Sequence, residues 1–282
     1  MIKQHAVGLN SRTKADPYNK IGFLPLITAP MNCVVDDTNY QTFLDNKIHV
    51  CTPRNTCIEN ETELMRQGIY FQSVSLSEFI NAYIQDETPL DHIEQICIDT
   101  ANGNMPALHA AIKSAKLIHG RNLIIMAGNV SSVEAFNELM SAGADFIRVG
   151  IGGGGGCNTT SNTGVGQEDL ELLIKECAIS KVRPIMVPNN SVSSGFTHIY
   201  PYKNVQIVAD GISTYIKECE SKYGYNDNGY AAINKLLNAG ANLVMVGKLF
   251  AQCYESAGIK AHSREEGKPM VLYSGMSTHQ EQ

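Results

Sequence analysis

The stretch Phe146-Ile-Arg-Val149-Gly150-Ile-Gly-Gly-Gly-Gly-Gly156-Cys157-Asn-Thr159-Thr-Ser-Asn-Thr163-Gly-Val-Gly166 decides how this chain is read. A short apolar run of strand type passes straight into five consecutive glycines and a cysteine. Three readings compete for the glycines. A flexible linker would join two domains, whereas this stretch joins one strand to the next helix. A dinucleotide fingerprint is matched in form by Gly150, Gly152 and Gly155, but such a turn should open a helix and Asn158–Gly166 is polar and loop-like. The third reading is a catalytic loop. Glycine lets a ligand or ion approach the backbone closely, and surrounding amides favour the thiolate of Cys157. The catalytic loop ranks first.

Outward from this point, apolar runs alternate with segments of helical periodicity. Candidate strands are Leu24–Thr28, Ile48–Thr52, Ile69–Val74, Gln95–Ile98, Leu123–Met126, Phe146–Val149, Val205–Ala209 and Leu243–Val246. Helical stretches include Pro106–His119, Ser132–Ser141, Glu168–Cys177 and Tyr230–Asn238. Pro106 suits a first helical turn and Ser132 a helix start. Strict alternation implies parallel strands with helical crossovers, either a (β/α)8 barrel or a doubly wound open sheet. In a barrel the glycine segment would lie in a loop at the C-terminal face, where active sites are built. Arg183–Asn204, with Pro184, Pro188 and Pro201, reads as an inserted arm or hairpin before the seventh strand, and Ser221–Gly229 as a polar loop.

Composition narrows the classes. The 282 residues carry 22 basic and 28 acidic side chains, a net charge of −6, and are 43% hydrophobic. This is enough apolar material for one large domain and too much for a disordered chain. Mild acidity argues against nucleic-acid binding, which needs clustered Lys and Arg. No apolar run is long enough to span a bilayer, and residues 1–10 lack a signal peptide's apolar stretch, so a soluble cytoplasmic protein is expected. The 8 cysteines include no CxxC pair. Cys51 and Cys97 fall in strand-like runs and are expected to be reduced and buried. Cys33, Cys57, Cys177, Cys219 and Cys253 are read as structural or incidental.

Several motifs, taken together, resemble the IMP dehydrogenase/GMP reductase family. They are Met126-Ala-Gly-Asn-Val130, Ala142-Gly-Ala-Asp-Phe-Ile-Arg-Val-Gly-Ile-Gly152, Cys157 and Thr163-Gly-Val-Gly166. The likeness continues in Pro25-Leu-Ile-Thr-Ala-Pro-Met31, Ile98-Asp99-Thr100-Ala101-Asn102-Gly103, Val208-Ala-Asp210-Gly211, Val246-Gly247 and Tyr273-Ser-Gly275-Met276-Ser277. The resemblance implies a (β/α)8 barrel in which Cys157 attacks purine C2 and hydride passes between that carbon and a nicotinamide. Thr159 matches a threonine that handles protons. Asp210 would grip the ribose hydroxyls, and Met31 and Met276 would sandwich the purine. Gly155, Gly156, Gly211, Gly247, Lys248, Gly275 and Ser277 would complete the nucleotide site. Asp99, Thr100, Ala101, Asn102 and Gly103 would face the dinucleotide, NADPH first, with NADH or NAD as alternatives. Carbonyls of Gly152, Gly154 and Cys157 could hold a monovalent cation such as K+. A homo-tetramer is implied.

Within the family, Thr163-Gly-Val-Gly166 favours the reductase branch. So does a chain that stops at Gln282 without the dehydrogenases' mobile water-activating flap, and that has no insertion resembling their CBS-type regulatory module. Other positions depart from the pattern. Gly155 stands where a serine usually holds the phosphate, Ile212 stands where a second glycine is usual, and Lys248 replaces a small residue. Lys248 would then compensate as a point charge. The reductases' acid glutamate has no exact counterpart; Glu281 or His279 could serve. Pro53-Arg54-Asn55 looks more like the dehydrogenase version. The expectation is a GMP reductase-type enzyme that forms a Cys157 thioimidate. The rivals are an IMP dehydrogenase-like enzyme, a non-catalytic purine-nucleotide-binding relative, and an enzyme for a modified or deoxy purine nucleotide.

Overall fold

The computed structural model describes residues 22–100, 102–151, 169–183, 185–188, 196–199, 202, 204–224, 229–258, 260–262 and 269–271. Its centre is an eight-stranded parallel sheet. In chain order the barrel strands are β1 (Leu26–Thr28), β2 (Val50–Thr52), β3 (Tyr70–Val74), β4 (Glu94–Ile98), β5 (Leu123–Val130), β6 (Phe146–Val149), β9 (Gln206–Ala209) and β10 (Leu243–Val246). Each pairs with its neighbour in parallel. The ring closes where the Thr28 N–H donates to the His49 carbonyl and the His49 N–H to that of Leu26, both at 3.0 Å. The protein is therefore a (β/α)8 barrel, and the open-sheet alternative is excluded.

Helices run between the strands: α1 (Tyr40–Asp45), α2 (Glu61–Arg66), α3 (Leu76–Tyr83), α4 (Pro106–His119), α5 (Val133–Ala142), α6 (Leu170–Lys181), α7 (Ile212–Tyr223), α8 (Tyr230–Ala239) and α9 (Lys248–Ala251). Their ends follow local chemistry. Pro106 occupies the first turn of α4, and the Ser132 hydroxyl accepts the Ala135 N–H at the start of α5. Ser75 and Glu78 form a reciprocal capping box on α3. The polar-loop reading of Ser221–Gly229 is corrected at its start. α7 continues to Tyr223 because Ile212, Tyr215, Ile216 and Cys219 lie on one buried face at helical spacing while Lys217 and Glu218 face solvent. Within 183–204, β7 (Ile185–Pro188) and β8 (Phe196–Ile199) form an antiparallel hairpin outside the barrel sheet. A second hairpin, β11 (Lys260–His262) with β12 (Pro269–Val271), was not expected from the sequence. Among the described residues no helix is long and apolar enough to cross a membrane.

The registers stack the inward side chains in layers drawn from alternate strands, as in other barrels of this type. Ile27, Phe71, Met126 and Val208, from β1, β3, β5 and β9, form one layer. Phe146 and Leu243 lie beneath it, and the Phe71 and Phe146 rings meet edge-on at 5.1 Å. Fully burying such a side chain contributes about 1.5–3 kcal/mol. One layer nearer the C-terminal mouth stand Cys51, Cys97, Arg148 and Met245. A guanidinium in the layered interior is the feature that turns this core into a site.

Candidate active site at the C-terminal mouth

Arg148 comes from the otherwise apolar run Phe146–Val149 of β6, and period-two alternation points it inward with Phe146. It is 7% exposed. Its Nη1 donates to Asp99 Oδ1 at 3.1 Å and lies 3.8 Å from Cys97 Sγ. Its Nη2 and Nε donate to Asp210 Oδ2 at 3.0 and 3.2 Å. Burial opposes this charge, but the Asp210, Cys97 and Asp99 side chains around it outweigh burial and hold the pKa well above the usual guanidinium value.

Asp99 follows β4 and Asp210 follows β9. The Asp99 N–H donates to the Val74 carbonyl and the Asp210 N–H to that of Val149, both at 2.9 Å, so the ladder carries each carboxylate just past its strand. Arg54, after β2, places Nη2 2.5 Å from the Asp99 carbonyl and 3.3 Å from Asp99 Oδ2. Asn129 Nδ2 donates to Asp210 Oδ2 and to the Gly150 carbonyl, both at 2.8 Å. The Gly211 N–H donates to Asp210 Oδ1 at 2.6 Å. The mouth thus holds an alternating chain of charge, Arg54, Asp99, Arg148, Asp210.

Beneath it the thiols of Cys51 and Cys97 are in contact. Burial pushes the Cys51 thiol up, while the hydrogen bond from Cys51 and the nearby Arg148 draw Cys97 down despite burial. Both are free and buried. Two glycines are dictated by close approach here. Gly150 has φ +126°, and a β-carbon on it would overlap the Asp210 carbonyl; one on Gly103 would come within 2.9 Å of the Asn129 carbonyl.

The remaining expected residues divide clearly. Thr100 Oγ1 donates to the Gly128 carbonyl at 2.7 Å, and the Gly103 N–H to that of Asn129 at 2.8 Å, so this loop is tied to the end of β5 beside Asp210's partner. Asn102 is exposed, and its Oδ1 accepts the Asn104 N–H. Met31, beyond β1, packs against the barrel interior. Gly211 adopts the left-handed conformation (φ 67°) and opens α7 with no side-chain cap among the described residues. Gly247 and Lys248 leave β10, the parallel neighbour of β9, at the same end. The half-buried Lys248 ammonium has no hydrogen bond or ion pair among the described residues. Ala101, Gly152, Gly154, Gly155, Gly156, Cys157, Thr159, Gly275, Met276, Ser277, His279 and Glu281 lie outside the described residues.

Sequence reasoning had not singled out Arg148 or Asn129, nor given Arg54 a role at Asp99. For Arg148 the signal was available: one charged residue at an inward position of an apolar strand.

The family model described as the IMP dehydrogenase / GMP reductase domain matches residues 87–282. A GMP reductase of Caenorhabditis elegans is 32% identical over 192 residues, which is 68% of this chain and 43% of that protein. A GMP reductase of Bacillus subtilis is 29% identical over 285 residues, covering 96% of this chain and 74% of the relative. One of Lactococcus lactis subsp. lactis is 30% identical over 262 residues, 89% of this chain and 68% of its own length.

Proposed function

The chain belongs to the IMP dehydrogenase / GMP reductase family, and we propose that it catalyses a GMP reductase-type reaction, GMP + NADPH + 2H+ → IMP + NADP+ + NH4+. One observation supports this above the others. The carboxylate matched to ribose binding, Asp210, and the one matched to the cofactor side, Asp99, open on one mouth and share Arg148. A nucleotide and a dinucleotide held by these two groups would meet at this mouth, with Arg148 and Arg54 already placed against the carboxylates.

In this reading the Cys157 thiolate adds to purine C2. The C2–N bond then breaks towards the amino group, which leaves as ammonia after taking a proton, and a thioimidate remains on sulfur. Thr159, with Glu281 or His279, handles that proton. The dinucleotide supplies hydride to C2 when bound, as family membership implies for a nicotinamide. Loss of the C2–S bond returns the thiolate and frees IMP. Asp99, Thr100, Ala101, Asn102 and Gly103 would hold the nicotinamide end, and the ties from Thr100 and Gly103 to β5 suit a loop that must keep its shape. Met31 and Met276 would pack on the purine, with Gly275 and Ser277 beside it. Gly155, Gly156, the uncapped start of α7 at Gly211, and Gly247 would receive the phosphate. A cation such as K+ on the carbonyls of Gly152, Gly154 and Cys157, and a cytoplasmic homo-tetramer, belong to the same proposal.

Lys248 takes a definite part: as a point charge it replaces phosphate hydrogen bonds lost at Gly155 and Ile212. Lys248→Ala should raise KM for the nucleotide about tenfold with kcat little changed, the cost of roughly one charge-assisted contact. An unchanged KM would end that idea. The dehydrogenase direction is the second reading, favoured by Arg54 in the Pro53-Arg54-Asn55 turn. The deciding assay follows nicotinamide absorbance with GMP and NADPH, and with IMP and NAD, using Cys157→Ala as control. NADPH oxidation that needs both GMP and Cys157 supports the reductase. Turnover only with IMP and NAD supports the dehydrogenase, and nucleotide binding without turnover supports a non-catalytic relative.

A further inference from the structure

The acceptor count at Asp210 is full on one oxygen and open on the other. Its Oδ2 receives three donors, Asn129 Nδ2 at 2.8 Å, Arg148 Nη2 at 3.0 Å and Arg148 Nε at 3.2 Å. Its Oδ1 receives the Gly211 N–H at 2.6 Å. A carboxylate oxygen offers two lone pairs, so Oδ2 is oversubscribed and Oδ1 has room for one more donor. A ribose cis-diol brings two hydroxyl donors. The first fits Oδ1; the second, on Oδ2, requires two of its three donors to leave, and Arg148 supplies two. The Gly211 N–H is fixed by the backbone, and Asn129 is held by its second bond to the Gly150 carbonyl at 2.8 Å. Arg148 makes the longest contact and has a second carboxylate to turn to, Asp99 at 3.1 Å.

We propose that Arg148 is a positioning residue that couples the two halves of the mouth: a nucleotide carrying a ribose cis-diol displaces it from Asp210 towards Asp99 and thereby tightens binding of the dinucleotide. This rests on the reading that Asp210 receives the ribose and that the Asp99 loop receives the nicotinamide. A guanidinium only 7% exposed cannot be left uncompensated, so the donors freed from Asp210 re-form on Asp99. Asp99 is already gripped from the other side by Arg54, on both its carbonyl and its Oδ2. A carboxylate clamped between two guanidiniums fixes the backbone running through Thr100 towards Gly103, and the dinucleotide then loses less freedom on binding. A 2′-deoxyribose supplies one hydroxyl, occupies Oδ1, and leaves Arg148 where it is. The coupling therefore depends on both hydroxyls, and it is reciprocal.

The test measures dissociation constants by calorimetry on the full chain with the non-reacting pair IMP and NADPH. Saturating IMP should tighten NADPH on the order of tenfold, within the usual range of coupling. Saturating 2′-deoxy-IMP should tighten it less than about threefold on the same scale. In Arg148→Gln, IMP and NADPH should still each bind, with the coupling gone. Equal tightening by the ribo- and deoxyribonucleotides overturns the proposal, as does full coupling in Arg148→Gln. If that variant does not fold, the comparison of the two nucleotides on the unaltered chain decides alone. Failure of IMP, GMP and 2′-deoxy-IMP to bind at all would overturn the functional reading itself, an outcome distinct from binding without coupling.

Discussion

Replacing Arg148 with methionine tests the ionic centre most directly. Methionine has similar length, fills the inward position and keeps contact with the sulfur of Cys97, but it has no donor. The substitution removes three hydrogen bonds, at 3.0, 3.1 and 3.2 Å. It leaves two carboxylates of 15% and 16% side-chain exposure facing the same space. Arg54, Asn129 and the Gly211 amide then carry all the compensation. Breaking a buried pair from one side costs about 3–5 kcal/mol. The lower end applies here because both carboxylates touch solvent, so about 3 kcal/mol is expected, a large share of the 5–15 kcal/mol that typically holds a domain together. At about 2–4 °C per kcal/mol for a large domain, Tm should fall by roughly 6–12 °C. Denaturant unfolding and thermal scans at neutral pH read this out. The decisive arm is Arg148→Met combined with Asp210→Asn. Removing the orphaned charge should restore part of the loss, which a mere packing defect would not do. A single variant within about 1 kcal/mol of the parent, or a double variant no more stable than the single, would refute the reasoning.

Two further outcomes follow from the barrel itself. His49 is fully buried, with Nδ1 3.1 and 3.2 Å from the Leu24 and Leu26 carbonyls, so that nitrogen carries the proton. Burial lowers its pKa from 6.5 to about 4, partly offset by those carbonyls. Between these values the unfolded chain binds more protons, so stability contributed by neutral His49 is full above about pH 6.5 and is lost as pH falls towards 4. The loss is about 3 kcal/mol for this site. Urea unfolding of the parent should therefore weaken more steeply across that window than that of His49→Gln, and parallel curves would count against it. Gly150→Ala should destabilise by about 2–3 kcal/mol, because the new β-carbon meets the Asp210 carbonyl at a backbone angle that L-residues avoid. A thermal scan showing no change would mean that Gly150 is not the tight point between β6 and β9.

Much of the barrel was legible from patterning, for reasons visible in particular elements. Phe146–Val149 and Leu243–Val246 are found as expected, since continuous apolar runs bounded by turn residues suit strands buried on both faces. β5 outruns its expected end at Met126, because Ala127 and Gly128 go on pairing with Ile147 and Arg148 before the register shifts. The full length of α7 was missed because its exposed face is so polar that its end reads as loop. In the site, Asp99 and Asp210 were legible as residues of interest because each follows a strand in a recognisable motif. Their common partner was not, since Arg148 lies on a different strand from either, and only the side-by-side pairing of β4, β5, β6 and β9 brings all three together.

The sequence by itself determined the alternation of strand and helix, the family likeness, and the glycine and carboxylate positions that end the strands. Those are local properties, written in period-two and helical spacing and in backbone conformations only glycine tolerates. Tertiary structure alone decided that β1 meets β2, that inward residues of alternate strands share a layer, and that one guanidinium serves two carboxylates. Register and closure are relations between distant segments, and Coulomb attraction in a buried layer depends on distances of about 3 Å that no single stretch of chain encodes.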